Sequence, residues 1–377
     1  MKLLYITQMY PSEELPQYCV FLHLQVKALI RNGVGITVVI PTTEKESCQT
    51  QYDGVSVIYL HYKDYSRTAL YPLVCRELKK ELGRFEDVSR FDAVYAIHAP
   101  ANILDFARSA AQSARKPLIV HYRGYNIFEE YHKEPKAFLS DPEKVREKVV
   151  KASALSIGVS HKTVEIITKR FPDAPVAVVY NGVDAQLFSS DASVEKHDGI
   201  RLVCVANLIP IKGHKYLFDA VKQILQKHED LLLTTDIVGR GSYENELKSY
   251  VEENKIPGVT FHGYVGHEKV ARFVQSSDIF VLPSVYESFG NVCLEAMACQ
   301  KPVVIFEGQG IDELIEDGVS GMIAKKADTS DLADKIERLI DDPALRDSIA
   351  ENARKTAKEY TWDASAKSII KALEGVI

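Results

Sequence analysis

Short apolar runs alternate with longer helical patterns from one end of the chain to the other. In the first half, the apolar runs predict strands at 2–7, 35–40, 54–60, 92–97, 117–122, 155–159 and 176–180. Helices fit between most of these strands, such as the one over 20–31, which ends at Asn32-Gly33. Such alternation is typical of βαβ units around a buried parallel sheet, so the pattern predicts an α/β fold.

The alternation is interrupted once and then starts again. Residues 189–199 are polar and aperiodic, and we therefore predict a linker over 184–199 between domains at 1–183 and 200–359. After the linker, strands are predicted at 201–206, 231–238, 258–262, 278–282, 302–306 and 321–324. Two doubly wound sheets in series follow from this pattern, and such sheets bind ligands beyond the carboxyl ends of their strands.

The length and charge of the chain narrow the classes of protein to consider. A chain of 377 residues exceeds the usual size of one hydrophobic core, which predicts two Rossmann-like domains with a cleft between them. Apolar residues make up 46% and charged residues 26%, as in ordinary folded proteins. Because the net charge is −6, the chain lacks the basic surface that binds phosphates, and nucleic acid is not an expected partner.

Cysteine usage and hydropathy predict a cytoplasmic protein. The six cysteines form no Cys-x-x-Cys pair and mostly occupy apolar stretches, so we interpret them as reduced thiols. No apolar run reaches the roughly 18 residues of a membrane span, and the opening run is too short for a signal peptide. The segment 61–85 mixes tyrosine and leucine with lysine and arginine. It fits either a helix lying on an anionic membrane surface or a Rossmann helix with a charged outer face.

The stretch after the predicted strand 278–282 carries two glutamates. Glu287 precedes the next predicted helix and Glu295 lies in its first turns, while residues 289–292 place backbone N–H groups at the helix N-terminus. A carboxylate can accept hydrogen bonds from two vicinal hydroxyls of a ribose or hexose. The pattern therefore fits a nucleotide-sugar site. It also fits a first-turn dipole partner at Glu287 and a solvated residue at Glu295, although the apolar neighbours of Glu295 favour function.

This stretch resembles the signature of family 4 of the retaining glycosyltransferases, which have the GT-B fold. Further motifs follow in the family's order: Tyr10-Pro11, Asn181-Gly182-Val183-Asp184 with Phe188, Lys212-Gly213, 239–241, Phe261-His262-Gly263, 308–313 and 318–321. A single glycine-rich match is weak, whereas this ordered set is specific. The resemblance implies two Rossmann-like domains facing across a cleft, a nucleotide-diphosphate sugar as donor, and a C-terminal helix over 360–377 that crosses back onto the first domain.

The resemblance also implies roles for single residues. Lys212 would pair with the donor diphosphate, Glu287 would bind the transferred sugar, and Glu295 would bind the ribose hydroxyls. The remaining donor-binding positions are Asn207, Phe289, Gly290, Asn291, Val292, Gly239 and Arg240. From the residues alone, Lys212 also fits a surface lysine, and Gly239 fits a glycine that only makes a tight turn.

Three positions depart from the family pattern. Asn207 stands where the family commonly has an arginine, and Cys19 stands where it commonly has a glycine close to phosphate. The third departure is Arg123-Gly124-Tyr125-Asn126, in place of His-Gly-x-Asp. Arg123 can supply the cation that Asn207 lacks, since a guanidinium is a forked phosphate donor. His121 either replaces the missing histidine or is a buried structural residue.

The resemblance implies chemistry that needs neither a protein nucleophile nor a metal. In this family the acceptor hydroxyl is thought to attack from the face that the leaving group departs, with the donor phosphate taking the proton. The protein then has to stabilise the charge that develops on the departing diphosphate. The chain contains no Asp-x-Asp triplet, which marks metal-bridged diphosphates in the other main glycosyltransferase fold. We therefore expect no metal and no cofactor.

The resulting hypothesis is a retaining, metal-independent glycosyltransferase. It would move a hexose or N-acetylhexosamine from a nucleotide-diphosphate sugar to a hydroxyl of a glycan or lipid-linked acceptor, in cell-envelope polysaccharide biosynthesis. Two alternatives stay open, because a fold does not fix its chemistry. One is a nucleotide-sugar epimerase or hydrolase, and the other is a non-catalytic partner that binds nucleotide sugar. We expect a cytoplasmic protein whose membrane contact, if any, is peripheral at the inner face.

Overall fold

The chain forms two compact α/β units. A computed structural model describes residues 1–16, 18–63, 71–124, 141–190 and 197–377, without the side chains of 71 and 72. Unit 1 comprises Met1–Tyr180 and Trp362–Ile377, and unit 2 comprises Asn181–Thr361. The predicted fold class is confirmed, since each unit contains a parallel sheet with helices packed on it.

Unit 1 is built on a sheet in which one edge strand alone is antiparallel. Its strands are β1 (Lys2–Ile6), β2 (Gly35–Thr42), β3 (Cys48–Tyr52), β4 (Val55–His61), β5 (Ala93–Ile97), β6 (Leu118–Tyr122), β7 (Leu155–Gly158) and β8 (Val176–Val178). The order across the described sheet is β3-β4-β2-β1-β5-β6-β7-β8. The helices are α1 (Val20–Arg31), α2 (Tyr71–Leu82), α3 (Ala101–Ala114), α4 (Pro142–Ala152) and α5 (His161–Arg170).

The antiparallel strand β3 was missing from the prediction. Its residues are polar and mostly exposed, so the strand shows none of the apolar alternation on which the prediction relied. It pairs with β4 across the two-residue turn Asp53-Gly54, in which both residues have positive φ, 47° and 75°. Asp-Gly favours this turn type and was the available signal for the hairpin.

Unit 2 is built on a fully parallel sheet. Its strands are β9 (Ile200–Val205), β10 (Leu233–Val238), β11 (Val259–Gly263), β12 (Ile279–Leu282), β13 (Val303–Phe306) and β14 (Met322–Ala324), in the order β11-β10-β9-β12-β13-β14. The helices are α6 (His214–Lys227), α7 (Glu244–Glu253), α8 (His267–Ser276), α9 (Asn291–Ala298), α10 (Thr329–Asp341) and α11 (Pro343–Ala357). Strand order reverses between β9 and β12, and in unit 1 between β1 and β5, so ligands are expected beyond the carboxyl ends of these pairs.

The segment from 181 to 190 packs on unit 2, although we had placed the start of the linker at 184. Phe188 is 1% exposed and its ring meets that of His267 edge-on, with centroids 4.8 Å apart. The Gln275 side-chain amide donates hydrogen bonds to the carbonyls of Leu187 and Ser189, at 3.3 and 3.0 Å. Backbone carbonyls and one aromatic ring make these contacts, so the amino-acid composition of the segment does not distinguish it from a linker. Residues 191–196 of the predicted linker lie outside the described residues.

The last helix, α12 (Trp362–Glu374), belongs to unit 1. Its buried face joins the core beneath α1, through Ala366, Ile369 and Leu373. Arg31 on α1 also pairs with Asp363 at 3.0 Å. The end of the chain therefore contributes to the core of the unit in which the chain begins.

Helix α2 packs on unit 1 through one apolar face, although Leu73 is 42% exposed. Val74, Leu78 and Leu82 are buried in the core of unit 1, so this part of the 61–85 segment packs as a Rossmann helix. Residues 64–70 of that segment lie outside the described residues. Among the helices that the structure describes, none is long and apolar enough to span a membrane.

Candidate functional site

The loops that follow β9, β10 and β12 meet at the carboxyl edge of the unit 2 sheet. Backbone hydrogen bonds join them, from Val285 N to Ile211 O at 2.8 Å and from Leu208 N to Arg240 O at 3.0 Å. Gly213 has φ +70°, and a Cβ there would lie 1.9 Å from the Pro283 carbonyl oxygen. Only glycine allows so close an approach, and it brings the loop after β9 against the loop after β12. The edge is therefore assembled by backbone contact at the point where strand order reverses.

Lys212 and Glu287 form an ion pair across these two loops. Lys212 ends a short 3₁₀ turn after β9, and Glu287 lies in the loop after β12. The side chains are only 11% and 17% exposed, so the pair is shielded from most of the solvent. Both residues were predicted as site residues, and the structure brings them together. Asn207 follows the same strand, β9, and is exposed.

The N-terminus of α9 is open at its cap. Gly290 is the N-cap residue, with φ +97°, and it offers no side chain to the N–H groups of the first turn. Phe289 is buried beneath this turn, whereas Asn291 and Val292 are partly exposed. Asn291 Oδ1 accepts a hydrogen bond from Asn181 Nδ2 at 2.7 Å. The helix dipole and the free cap make this end of α9 suited to bind anionic or hydroxyl oxygens.

Glu295 lies one turn further along α9 and pairs with a histidine that we had not singled out. His267 Nε2 lies 3.1 Å from Glu295 Oε1, and the two side chains are 21% and 15% exposed. Burial lowers the pKa of His267, but the hydrogen bond and charge of Glu295, together with the charge of Asp184, outweigh burial and raise it. Glu295 is thus a partly buried residue oriented by His267 and not a solvated helix residue.

Gly239 and Arg240 follow the end of β10, next to the same loops. Gly239 has φ +141°, and a Cβ there would lie 1.9 Å from the Ala206 carbonyl oxygen. This close approach explains in structural terms why a glycine is needed at position 239. The Arg240 guanidinium lies over the exposed ring of Tyr264, 5.1 Å from its centroid.

His121 is buried in unit 1. It is 1% exposed, and its Nδ1 lies 2.6 Å from the hydroxyl of Tyr95, whose ring stacks on that of Tyr5. Burial, and then the charge of Arg123, hold the pKa of His121 well below its usual value. This environment favours the structural interpretation of His121.

Arg123 lies between two aromatic rings of unit 1. Its guanidinium carbon is 5.0 Å from the Phe21 centroid and 5.6 Å from the Trp362 centroid, which is cation–π geometry on both. Trp362 is 6% exposed. Tyr125 and Asn126, the rest of the motif, lie outside the described residues. Arg123 and Lys212 belong to different units, so their shared role on the diphosphate stays a prediction.

Cys19 has the backbone conformation of a glycine. It is the N-cap of α1 with φ 50°, in the left-handed region, and its Sγ lies 3.7 Å from Met9 Sδ. Burial raises the pKa of its thiol to about 11, so the group is a neutral thiol. A glycine at this position would relieve the backbone strain.

Sequence reasoning missed His98, which follows β5 where strand order reverses in unit 1. Its φ is 47°, which is rare for a residue with a side chain, and its ring meets Phe21 edge-on at 5.9 Å. Burial, and then the charge of Arg123, lower its pKa to about 4. The available signal was its position as the first polar residue after the apolar strand 93–97.

Two other features of unit 2 lie away from this edge. A polar hollow of about 970 Å³, with Asp278 and Lys301 in its wall, lies at the amino ends of the strands, where doubly wound sheets do not bind their ligands. Within the described residues, one group has metal-ligand spacing: His228, Glu337 and Asp341, with ligand atoms within 4.8 Å of one another. His228 follows the far end of α6 from Lys212, about 21 Å along a 14-residue helix.

Two family models together match most of the chain. The model described as Glycosyltransferase Family 4 matches residues 20–187, and the one described as Glycosyl transferases group 1 matches residues 186–356. A glycosyltransferase of Methanocaldococcus jannaschii is 29% identical over 197 residues, 52% of this chain and 53% of that protein. The alpha-D-kanosaminyltransferase of Streptomyces kanamyceticus is 32% identical over 167 residues, 44% of this chain and 43% of that protein. The chain spans about half the length of the curated relatives it matches.

Solved structures share the fold over the full length of the chain. Sucrose-phosphate synthase from Thermosynechococcus elongatus has a TM-score of 0.78 at 18% identity, covering 100% of this chain and 98% of that one. Anabaena HepE, in complex with UDP and glucose, has a TM-score of 0.77 at 21% identity, covering 100% of both chains. Because the glutamates, the lysine and the glycines occupy the strand ends that the signature implies, and the two models cover 20–356, the chain belongs to family 4 of the glycosyltransferases, group 1, with the GT-B fold.

Proposed function

We propose that the protein transfers a hexose or N-acetylhexosamine from a nucleotide-diphosphate sugar to a hydroxyl of a glycan or lipid-linked acceptor, with retention of configuration. The observation that carries the proposal is the carboxyl edge of unit 2. Lys212, Glu287 and Glu295 gather there beside the uncapped N-terminus of α9. A cation, two carboxylates and a helix N-terminus are the groups that a diphosphate joined to two sugars requires.

The donor class is supported by what related proteins are named for. HepE has been solved with UDP and with UDP-glucose, and other relatives are named as glycosyltransferases acting with kanosamine or on D-inositol 3-phosphate. These names differ in sugar and acceptor. For this chain they support a nucleotide-sugar donor. The glycan or lipid-linked acceptor and the role in envelope polysaccharide biosynthesis are our own proposal.

The Lys212–Glu287 ion pair gives the proposal a mechanism. Lys212 would turn from the carboxylate to the diphosphate, and Glu287 would then accept hydrogen bonds from the sugar hydroxyls. As the bond to the anomeric carbon breaks, negative charge grows on the diphosphate. Lys212 and the N–H groups of α9 stabilise that charge without any proton transfer to the protein. The donor phosphate takes the proton of the acceptor hydroxyl, so no side-chain base is required.

A binding screen tests the donor class. We expect UDP, ADP or GDP to raise the melting temperature, because a ligand at about 100 times its Kd adds about 2.7 kcal/mol of stability. Glu295→Ala should weaken that binding by about 1.5–3 kcal/mol, since it removes a charged hydrogen-bond acceptor. Glu252→Ala, an exposed glutamate of α7, is the control. Equal affinity in Glu295→Ala and the parent, with both folded, would contradict the ribose role.

A product analysis tests the reaction. With a bound nucleotide sugar and a glycan acceptor, we expect a new glycoside with the anomeric configuration of the donor, measured by NMR. Free sugar released without acceptor would instead indicate a hydrolase, an altered donor sugar would indicate an epimerase, and tight binding without turnover would indicate a non-catalytic partner.

Metal independence is part of the proposal. Lys212 and the helix N-terminus would neutralise the diphosphate in place of a metal ion. Activity should therefore survive a strong chelator. Loss of transfer in the chelator, restored by magnesium or manganese, would defeat this part of the proposal.

A further inference from the structure

We propose that His267 is a positioning residue for the nucleotide, which holds the Glu295 carboxylate in the orientation that binds the ribose diol. The inference rests on the proposed function of Glu295 as the ribose ligand. His267 is the first residue of α8 and Glu295 lies in the second turn of α9, so the pair links two helices at the carboxyl edge of unit 2.

Only one oxygen of the Glu295 carboxylate is hydrogen-bonded by the described residues. His267 Nε2 lies 3.1 Å from Glu295 Oε1, while Oε2 has no hydrogen-bond partner within the part of the chain that the structure describes. A carboxylate has about four acceptor positions, so one bond from the imidazole fixes its plane and leaves room for two hydroxyls. Without the imidazole, the side chain of Glu295 would have to lose rotamer freedom when the nucleotide binds.

The imidazole is itself held in place by the segment 181–190. The ring of Phe188 meets it edge-on, with centroids 4.8 Å apart and planes at 63°. Phe188 is fixed in turn, because it is 1% exposed and its N–H donates to the Asp184 carbonyl at 2.9 Å. The segment 181–190, part of which we predicted as a linker, thus holds the imidazole of His267 in place through Phe188.

The charges around His267 keep it a donor toward Glu295. Two acidic groups face the ring, Glu295 from α9 and Asp184 from the segment 181–190. Burial lowers the pKa of His267, and these two groups outweigh burial and raise it above 6.5. As the pH rises through this raised pKa the imidazolium is lost, and the hydrogen bond to the carboxylate loses its charge assistance. Nucleotide affinity should therefore fall as the pH rises.

Calorimetric titration with UDP, ADP and GDP tests the proposal. For the nucleoside diphosphate that the parent binds most tightly, we expect His267→Ala to raise Kd about tenfold, the loss of one charge-assisted hydrogen bond. His267→Gln should recover most of the affinity, because its amide can donate from nearly the same position. His228→Ala is the matched control, since His228 Nε2 makes a similar contact with Glu337, at 2.7 Å, at the far end of α6.

A ribose analogue separates positioning from packing. The 2′,3′-dideoxy form of the same nucleotide lacks the diol, so the parent and His267→Ala should bind it with equal affinity. A tenfold difference that persists with the dideoxy nucleotide would overturn the proposal, because the histidine would then act on packing or on the phosphates.

The pH dependence provides a second readout. Between about pH 6.5 and pH 8.5, Kd should rise more for the parent than for His267→Gln, whose amide does not titrate. The titration of the nucleotide phosphate is common to both proteins and cancels in the comparison. Identical pH profiles would overturn the charge argument. If the parent binds no nucleoside diphosphate at all, the proposed function fails; if the parent binds and His267→Ala equals it, only the positioning role fails.

Discussion

The carboxyl edges of the two sheets are built from different groups. In unit 2 the edge is shaped by close backbone approach, since a Cβ at Gly213, Gly239 or Gly310 would lie 1.9, 1.9 or 2.0 Å from a carbonyl oxygen. In unit 1 a Cβ at Gly124 would have no described atom within 4 Å. That edge is filled instead by aromatic rings and buried imidazoles.

The consequence is a difference in charge. Unit 2 has basic and acidic side chains in pairs that stay partly accessible, Lys212 with Glu287 and His267 with Glu295. In unit 1 burial lowers the pKa of the histidines at this edge: that of His98 falls to about 4 and that of His121 also falls. Unit 1 also carries Arg123, whose guanidinium lies between two aromatic rings.

The largest expected effect concerns the backbone contact that distinguishes unit 2. Gly213→Ala should destabilise unit 2 by about 3–5 kcal/mol, because it adds left-handed strain to a clash with the Pro283 carbonyl. Gly263→Ala has a similar φ of +67° but open space, and should cost about 1 kcal/mol of strain alone. Gly124→Ala in unit 1 should stay within about 0.5 kcal/mol. Urea denaturation of the three variants measures their free energies of unfolding. Equal losses of stability in Gly213→Ala and Gly263→Ala would show that the close backbone approach at Gly213 does not distinguish the two units.

The next effect concerns the charge pair. Lys212→Ala should lower turnover by about 10²–10³, because a cation aimed at the departing diphosphate acts mainly in the transition state. Lys215→Ala is the control, since Lys215 on α6 pairs with Glu246 of α7, at 2.8 Å, and, within the described chain, with none of the predicted site residues. Steady-state kinetics that show parental turnover in Lys212→Ala would reduce Lys212 to a structural partner of Glu287.

Arg123 tests whether unit 1 contributes a cation of its own. Arg123→Ala should lower turnover on the order of 10². Arg123→Lys should keep part of the activity, because it keeps the charge but loses the planar stacking on Phe21 and Trp362. Asn207→Arg in the Arg123→Ala background should recover part of the loss. Arg108→Ala, which breaks a pair with Asp105 on α3, is the control. Parental turnover in Arg123→Ala would leave this residue a structural member of an aromatic cluster.

The parts of the molecule that the sequence predicted are those with a local signal. Apolar strands and the order of motifs predicted both sheets, and the spacing of Glu287 and Glu295 placed both residues at one edge. The polar strand β3 shows no apolar alternation, because it is held by pairing with β4, and only the Asp53-Gly54 turn signals it. His98 is signalled only by its place after an apolar strand, and His267 gave no local signal. Their surroundings depend on neighbours far along the chain, Phe21 at 5.9 Å and Glu295 at 3.1 Å.

The smallest expected effect is a pH dependence of the free energy of unfolding. It tests whether unit 2 also contains a buried neutral histidine. His214 begins α6 beside Lys212, is 1% exposed, and has no hydrogen-bond partner at either ring nitrogen among the described residues. Burial, and then the charge of Lys212, lower its pKa to about 4. Below pH 6.5 the unfolded chain protonates this histidine, whereas the folded protein does not until about pH 4, so the free energy of unfolding falls as the pH falls.

From about pH 7.5 to pH 5 this one group should remove about 2 kcal/mol of stability from unit 2, or about 4–8 °C of melting temperature. His214→Leu should lose that part of the acid sensitivity, because leucine fills the buried space without titrating. His98→Leu should act in the same direction on unit 1, whose His98 shares a pKa of about 4. Scanning calorimetry at the two pH values measures both. If His214→Leu lost as much stability on acidification as the parent, the acid-sensitive group of unit 2 would have to lie elsewhere, and buried neutrality would distinguish unit 1 alone.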